Sequence, residues 1–182
     1  MTNHVHHAGC GCMAALSRRS LFGMGVAAGA VAMATPRLAF AQKPSPTYEA
    51  MLMNCIDPRF STFTWAYMAS SGWQNLYSQF TIAGGPVAAV APVFEAWRVA
   101  WWSNLDISIK LHQVKRVVGL CHRDCGAAVV AYGDQIKTDP AFETAKLSEA
   151  LRTFRGEVKK RHPTLEVDLG IMALSGAVER VT

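Results

Sequence analysis

The stretch that decides the fold of this chain is R-V-V-G-L-C-H-R-D-C-G, residues 116–126. Its apolar first half, Arg116–Cys121, predicts a buried strand, and the polar residues from His122 to Cys125 predict a loop that leads into a helix. The same change from apolar run to polar loop occurs earlier, where Ala50–Asn54 is followed by C-I-D-P-R. Because ligands of parallel sheets bind at the carboxyl ends of the strands, we expect the two loops to meet at one functional edge.

Strands and helices alternate along the rest of the chain. Pro and Gly residues bound most of these segments, and Asp139 and Pro140 are well placed to begin the last long helix. The predicted helices are residues 60–71, 93–112 and 139–162, and further strands are predicted at 80–83 and 166–173. The pattern predicts an α/β fold with a mostly parallel β-sheet of about four to five strands flanked by helices.

The long helix predicted over residues 93–112 carries an apolar stripe. Apolar residues recur there every four positions, at Trp97, Trp101, Leu105 and Ile109. Such a repeat indicates a helix face that packs on the core. Trp102 lies off the stripe, where it either joins the core or contacts a partner. We therefore regard Trp102 and the apolar segment Val87–Val93 as candidate interface material.

The composition fits one globular domain. The chain has 182 residues, of which 51% are hydrophobic and 17% are charged, and these values exclude a disordered chain. The net charge is +5, but residues 1–41 contain three arginines and no acid, so the remainder carries 15 basic and 13 acidic residues. No cluster of Lys and Arg is interleaved with aromatic residues, so we expect no nucleic-acid partner.

The first part of the chain has the features of an export signal. Residues 17–22, S-R-R-S-L-F, resemble a twin-arginine signal, and an apolar run and a small-x-small cleavage site ending at Ala41 follow. The run is shorter than the roughly 18–20 apolar residues of a membrane span, so we expect no stable span after cleavage. An uncleaved anchor is the alternative. We expect a signal peptide over residues 1–41 that the twin-arginine export machinery reads, a single domain over residues 42–182, and a periplasmic or otherwise exported protein.

Cleavage near Ala41 would leave three cysteines, Cys55, Cys121 and Cys125. An odd number of cysteines in an oxidising compartment does not favour a disulfide framework. Cys55, His122 and Cys125 instead form a set of three soft ligands, which is what a catalytic zinc with one open position needs. We expect Cys121 to be a buried small residue, because neighbouring strand residues face opposite sides of a sheet.

The two motifs and a third segment resemble the β-class carbonic anhydrases. The matching residues are Cys55-x-Asp57-x-Arg59, Ala83-Gly84-Gly85 and His122-x-x-Cys125-Gly126-Ala127, with weaker matches at 167–169 and 175–178. The resemblance covers most of residues 50–182 and implies the fold of that family, with one Zn2+ per chain on the Cys/His/Cys set. It also implies assembly as a homodimer or higher homo-oligomer and substrate contacts at Gly84, Gly85 and Gly126.

The function expected from the motifs is the zinc-dependent, reversible hydration of CO2 to bicarbonate and a proton. Two thiolates cancel the charge of the metal, so this zinc acidifies water less than a three-histidine site would, and neighbouring groups must help. Arg59 can hold Asp57 ionised, and Asp57 can then orient zinc-bound hydroxide toward CO2. The resemblance also implies an inactive second state, favoured at lower pH, in which Asp57 binds the zinc and releases Arg59.

Three alternatives stay open for the site. The same zinc site could hydrolyse a related small molecule, such as carbonyl sulfide or carbon disulfide. The chain could also be a non-catalytic zinc-binding protein that keeps the metal for folding. The third alternative is thiol chemistry at Cys121 or Cys125, because the start of a helix stabilises a thiolate.

Overall fold

The structure, a computed structural model, describes residues 47–182. The predicted signal peptide, residues 1–41, and its cleavage near Ala41 lie outside the described residues, so both stay predictions. Among the described residues, no helix is both long and apolar enough to cross a membrane.

Five strands form one sheet within residues 47–182. They are β1 (Ala50–Asn54), β2 (Tyr77–Thr81), β3 (Arg116–His122), β4 (Glu166–Met172) and β5 (Val178–Arg180). Their order in the sheet is β2-β1-β3-β4-β5; the first four are parallel, and β5 pairs antiparallel with β4. The predicted α/β fold with a mostly parallel sheet is therefore confirmed.

Helices and short 3-10 turns connect the strands. The helices are α1 (Ser61–Ser70), α2 (Pro86–Val90), α3 (Arg98–His112), α4 (Gly126–Tyr132), α5 (Gln135–Thr138) and α6 (Pro140–Arg161), and the turns are Pro58–Phe60 and Pro92–Trp97. As predicted, Asp139 caps α6: its carboxylate accepts hydrogen bonds from the amides of Ala141 and Phe142, both at 3.0 Å. These bonds satisfy two of the amide groups that the start of a helix leaves free.

Apolar side chains cover both faces of the sheet around its central strands. Every residue of β1 is buried. Met53 belongs to a core cluster with Phe154 of α6, whereas Leu52 belongs to a second cluster with Met68 of α1. This alternation is the period of two that a strand imposes, and a continuous apolar strand is typical of a parallel sheet covered on both faces. The buried strands hold their carboxyl ends, and hence the two loops, in fixed positions.

The predicted start of the helix over residues 93–112 is wrong. Phe94 has non-helical backbone angles (φ −108°, ψ 18°) inside the turn Pro92–Trp97, and α3 begins only at Arg98. The residue before Pro92 is extended, as the steric demand of a proline ring requires. The strand predicted at residues 80–83 is also displaced, because β2 begins three residues earlier.

The predicted apolar stripe of this helix is only partly correct. Trp101 and Leu105 are buried and Ile109 is half-buried, but Trp97 is 39% exposed because it lies on the turn before α3. Trp102 is half-buried, and the guanidinium of Arg161 lies 4.2 Å from the centre of its ring.

The segment Val87–Val93 is only partly the surface that the sequence suggested, because its last residue, Val93, is 59% exposed but its first three residues are buried. Val87, Ala88 and Ala89 are buried in α2 and belong to the main core cluster. Their prediction as interface residues is wrong, because a helix of five residues is too short to show a helical repeat in the sequence.

Candidate metal centre

Three buried side chains converge at the carboxyl ends of β1 and β3. Cys55 directly follows β1, His122 is the last residue of β3, and Cys125 is the N-cap of α4. One ligand atom from each residue lies within 4.8 Å of the other two, an arrangement that can hold a metal ion. The expectation that the two loops meet at one edge of the sheet is therefore confirmed.

The imidazole of His122 is oriented as a metal ligand would be. Its Nδ1 lies 2.8 Å from the backbone oxygen of Arg123, so the Nδ1 proton can be donated there. Its Nε2 is buried and has no hydrogen-bond partner among residues 47–182. The ring of Phe60 lies against the imidazole, with the centroids 4.1 Å apart. A buried nitrogen without a partner is costly unless it binds something, and a metal ion in the Cys/His/Cys cluster would satisfy it.

The two cysteine sulfurs differ in how readily they lose a proton. A hydrogen bond from Cys125 lowers the pKa of Cys55 to about 4, against the effect of burial, and His122 and the amide of Gly84 lower it further. The Gly84 nitrogen lies 3.2 Å from the Cys55 sulfur. Donation to Cys55, burial and the charge of Cys55 raise the pKa of Cys125. The pair therefore carries one negative charge at neutral pH, and a metal ion would displace the remaining thiol proton.

Two consecutive glycines bring the backbone close to the Cys55 sulfur. Gly84 and Gly85 have φ values of 81° and 51°, in the left-handed region that favours glycine. A Cβ on Gly85 would lie 2.9 Å from the backbone carbon of Asn54, and one on Gly84 would lie 3.0 Å from the Cβ of Ala127. The glycines thus allow the close packing that places the Gly84 amide on the sulfur.

The predicted substrate contacts at Gly84, Gly85 and Gly126 stay predictions. Gly126 begins α4 directly after Cys125, and a Cβ added to it would meet no described atom within 4 Å. Open space beside Gly126 is compatible with a ligand, whereas Gly84 and Gly85 are packed against the protein.

Asp57 and Arg59 form a forked ion pair beside the cluster. The Arg59 Nη2 lies 2.7 Å from Asp57 Oδ2, its Nε lies 3.1 Å from both carboxylate oxygens, and its backbone amide donates to Oδ1 at 3.0 Å. These hydrogen bonds from Arg59 lower the pKa of Asp57 and keep the carboxylate ionised. Asp57 Oδ2 is 4.0 Å from the Nε2 of His122, so the charged carboxylate borders the space where the metal ligands converge.

Asp124 is a site residue that sequence reasoning missed. It lies in the loop predicted from His122 to Cys125, and there its Oδ2 lies 2.8 Å from Arg59 Nη1 and its backbone oxygen lies 3.1 Å from Arg59 Nη2. Arg59 is therefore held by carboxylates on both sides, and these bonds raise its pKa. No sequence pattern links these two residues, because they are 65 positions apart.

A hydrogen bond to Glu143 of α6 fixes the conformation of Asp124. Asp124 has a φ of 57°, and its amide donates to Glu143 Oε1 at 2.8 Å. The other oxygen of Glu143 pairs with Arg123 at 3.2 Å. The left-handed backbone turns both the carboxylate and the carbonyl of Asp124 toward Arg59, so the start of α6 supports the arginine indirectly.

A cavity of about 370 Å³ opens beside the Cys125 loop. Cys125 and Asp124 line one side of it, and apolar residues of α4, α5 and the chain after β4 line much of the rest, namely Val129, Ile136 and Leu174. The candidate metal centre therefore has open space next to one of its ligands.

Cys121 lies outside the cluster. It is buried, as predicted, and burial raises its pKa to about 12. A buried thiol with so high a pKa stays protonated at neutral pH and is a poor nucleophile. Cys121 is therefore not a reactive thiol of the kind that the alternative of thiol chemistry requires.

Of the comparisons with known proteins, the match to one solved structure, a carbonic anhydrase, supports the fold. No family model matches the chain. An uncharacterized protein of Rickettsia conorii is 28% identical over 131 residues, which are 72% of this chain and 70% of that protein. A carbonic anhydrase from Glaciozyma antarctica has a similar structure, with a TM-score of 0.51 and 16% identity over 79% of this chain and 90% of its own. A tetrameric β-carbonic anhydrase of Sordaria macrospora matches with a TM-score of 0.44 and 14% identity, over 75% of this chain and 82% of its own.

The chain thus has a carbonic-anhydrase-like fold, as the sequence resemblance implied. Within that fold, Cys55, His122 and Cys125 form a cluster that can hold a metal ion. At these levels of identity the likeness defines the fold, and the function has to be argued from the site.

Proposed function

We propose that this protein is a zinc enzyme that reversibly hydrates CO2 to bicarbonate and a proton. The observation that carries the proposal is the placement of the ionised Asp57, whose Oδ2 lies 4.0 Å from the unpartnered Nε2 of His122. The site thus combines three metal ligands with a fixed, charged hydrogen-bond acceptor. A purely structural metal site does not need such an acceptor beside its ligands.

Cys55, His122 and Cys125 would hold one Zn2+ per chain. Two sulfurs and one imidazole nitrogen suit zinc, and the set leaves a fourth position open. When bound there, zinc supplies a Lewis acid that makes water nucleophilic near neutral pH. The Gly84 amide stabilises the negative charge of the Cys55 thiolate at 3.2 Å, and the Arg123 carbonyl fixes the tautomer of His122.

Asp57 would orient the attacking water. Its carboxylate is ionised because Arg59 lowers its pKa, so it can only accept hydrogen bonds. It would therefore accept a hydrogen bond from the reacting water and leave an oxygen lone pair free to point at the carbon of CO2. Orientation of this kind lowers the barrier without a change in the metal.

Arg59 would keep Asp57 charged and in place. Its fork binds Asp57 on one side and Asp124 on the other, at 2.7 Å and 2.8 Å. We propose that the inactive state arises when Asp57 moves from Arg59 to the metal. Asp124 would hold Arg59 in the same position during that exchange. The ion pair between Arg59 and Asp57 could then form again without a rearrangement of the arginine side chain.

The assembly and location of the protein belong to the same proposal. We propose a homo-oligomer that is exported by the twin-arginine route after loss of residues 1–41. The tetrameric state of the Sordaria macrospora protein supports the expectation of assembly only as an analogy. Export of a chain that has already folded would keep zinc on thiolates that otherwise oxidise.

The proposal is tested by metal analysis combined with stopped-flow CO2 hydration. The wild type is compared with Asp57→Asn and, as a matched control, with Asp134→Asn, which removes an exposed carboxylate paired with Lys137 at 2.7 Å. All three should bind one zinc per chain. Asp57→Asn should hydrate CO2 about 100-fold more slowly than the wild type, and Asp134→Asn should be unchanged.

Zinc bound without hydration in the wild type would contradict the proposal. Hydrolysis of carbonyl sulfide or carbon disulfide by the same sample would then assign the site to a related substrate. Activity on none of these molecules would assign the metal to folding.

A further inference from the structure

The outward side of α3 carries large apolar residues among its polar ones. Val99 is 73% exposed, Ile107 54% and Leu111 60%. The turn before α3 adds Val93 at 59% and Trp97 at 39%. Contiguous exposed apolar residues of this kind mark surfaces that contact a partner. We call the residues Val99, Ala100, Ser103, Ile107 and Leu111 the α3 face.

The middle of the α3 face is formed by small residues. Ala100 and Ser103 are exposed and lie between Val99 and Ile107 along the helix. Small residues at a crossing point allow two helices to approach to roughly 8 Å. Beside them, a cavity of about 450 Å³ lies between α3 and Arg161 at the end of α6. The surface therefore has room for the side chains of an approaching helix.

The two ends of the α3 face carry opposite charges. Glu95 is exposed on the turn before α3, and Lys110 is exposed in the last turn of α3. Neither forms an ion pair with any residue in the described part of the chain, 47–182. They are about 22 Å apart along the helix axis, which is more than twice the Debye length of about 8–10 Å. They therefore cannot pair with each other within one chain.

The other charged groups on this surface leave Glu95 and Lys110 available. Asp106 pairs with His162 at 3.1 Å. Arg98 donates to the backbone oxygen of Val90 at 2.7 Å, and Arg161 lies over the Trp102 ring.

We propose that a second copy of this chain binds the α3 face, with the two α3 helices antiparallel about a two-fold axis near Ser103. In that arrangement Val99 faces Ile107 of the partner subunit, and Glu95 faces Lys110 of the partner subunit. A two-fold axis forms each contact twice, so the apolar pairs and the ion pairs are satisfied by one self-complementary surface. The charge complementarity of the ends favours a second copy of the chain over an unrelated partner.

The size of the α3 face sets how tightly two chains are expected to associate through it. A helix pair about 22 Å long buries less than the roughly 1,200–2,000 Å² of stable interfaces. The contact should therefore form and dissociate with concentration. The chain could also assemble through another surface, so that the α3 contact joins two smaller assemblies into one. Loss of the α3 contact would then halve the mass of the complete assembly.

The test is sedimentation of the full chain over a range of concentrations, with a charge-reversal cycle. Glu95→Lys and Lys110→Glu should each weaken the association about tenfold, because each puts two pairs of like charges in contact. The double variant Glu95→Lys/Lys110→Glu should restore the association to within about twofold of the wild type. Rescue of this kind requires that the two residues meet between subunits, since they are too far apart within one.

A second pair of variants tests the apolar part. Val99→Glu should weaken the association more than 100-fold, or roughly 3 kcal/mol, because it buries a charge without a partner. Glu has at least the helix propensity of Val, so α3 should still form, and circular dichroism checks this. The matched control is Val130→Glu, at a valine of α4 that is 63% exposed, and it should not change the association.

Three results would overturn the proposal. They are a Val99→Glu variant that assembles like the wild type, a double charge reversal that does not rescue, and a full chain that stays monomeric at concentrations of about 100 μM. Sedimentation measures association and does not depend on the metal. A negative result would therefore count against the α3 contact and not against the proposed CO2 hydration.

Discussion

At the level of single residues, Cys121 and Cys125 lie four positions apart in the chain but have different surroundings. Both belong to the main core cluster, but Cys125 is within 4.8 Å of two other ligand atoms and Cys121 is not part of that ligand set. The sequence allowed this distinction because strand residues alternate in direction and Cys121 precedes His122 on β3. Burial alone did not distinguish them, since both are buried.

We predict that Cys125→Ser will lose zinc and that Cys121→Ala will keep it. Replacement of a thiolate ligand should lower the affinity at least 100-fold, because the hydroxyl of serine does not ionise at neutral pH. Cys121→Ala removes one buried sulfur and should leave one zinc per chain. Metal analysis after dialysis measures both. Equal zinc contents in the two variants would show that the cluster is not the metal site.

The affinity for zinc should rise with pH, with about one to two protons released per ion bound. The Cys125 thiol holds a proton because its pKa is raised by its bond to Cys55, by burial and by the Cys55 charge. Burial lowers the pKa of His122, but the nearby Cys55 thiolate, the Arg123 carbonyl and the charge of Asp57 outweigh it, so the pKa is raised. Zinc must displace these protons, so acid weakens binding. Calorimetry in buffers of different ionisation enthalpy counts the protons, and an affinity independent of pH between 6 and 8 would contradict the prediction.

Asp124→Asn should slow CO2 hydration about tenfold and leave zinc in place. Asn tolerates the left-handed backbone of this position and keeps the carbonyl that accepts from Arg59, so only the charged contact at 2.8 Å is lost. Stopped-flow kinetics with metal analysis separate the two effects. Loss of zinc together with activity would mean that Asp124 supports the Cys125 loop and not Arg59.

At the level of the elements, the strands that hold the site were predictable and the segment between the glycines and α3 was not. β1 and β3 are continuous apolar runs that end at polar loops, and that pattern has one structural meaning in a parallel sheet. Residues 86–97 are instead divided into α2 and a 3-10 turn with a kink at Phe94. Both are shorter than the window over which a helical repeat can be read.

Two glycine variants should change stability in opposite directions. Gly85→Ala puts a Cβ 2.9 Å from the backbone of Asn54 at a φ of 51°, and should destabilise the fold by more than about 2 kcal/mol. Gly156→Ala lies within α6, where a Cβ would meet no described atom within 4 Å, and should stabilise it by roughly 0.5–1 kcal/mol. Urea denaturation of the zinc-free chains measures both. Equal midpoints would show that the Gly84-Gly85 backbone is not constrained.

At the level of the whole molecule, the sequence predicted which residues meet but not how the site is supported. Cys55 and His122 converge because two strand ends must share an edge of the sheet, and this follows from topology. The contact of Arg59 with Asp124 depends on the left-handed backbone at Asp124 and on Glu143 of α6. These contacts depend on packing between distant segments, which neither periodicity nor motif spacing encodes.

The apolar face of α3 shows the same limit. Its exposed residues share the helix with the buried Trp101 and Leu105, so the helix is apolar around much of its circumference. The sequence indicated the core-facing stripe through Trp101 and Leu105, but it did not indicate that Val99, Ile107 and Leu111 lie exposed on the other side.

The measurement that tests the central claim most directly is stopped-flow CO2 hydration by the full chain before zinc removal, after removal with a chelator, and after zinc is restored. The account predicts hydration well above the buffer rate with zinc, none above it without zinc, and recovery when one equivalent is added back. A zinc-loaded chain that hydrates CO2 no faster than buffer would contradict the account.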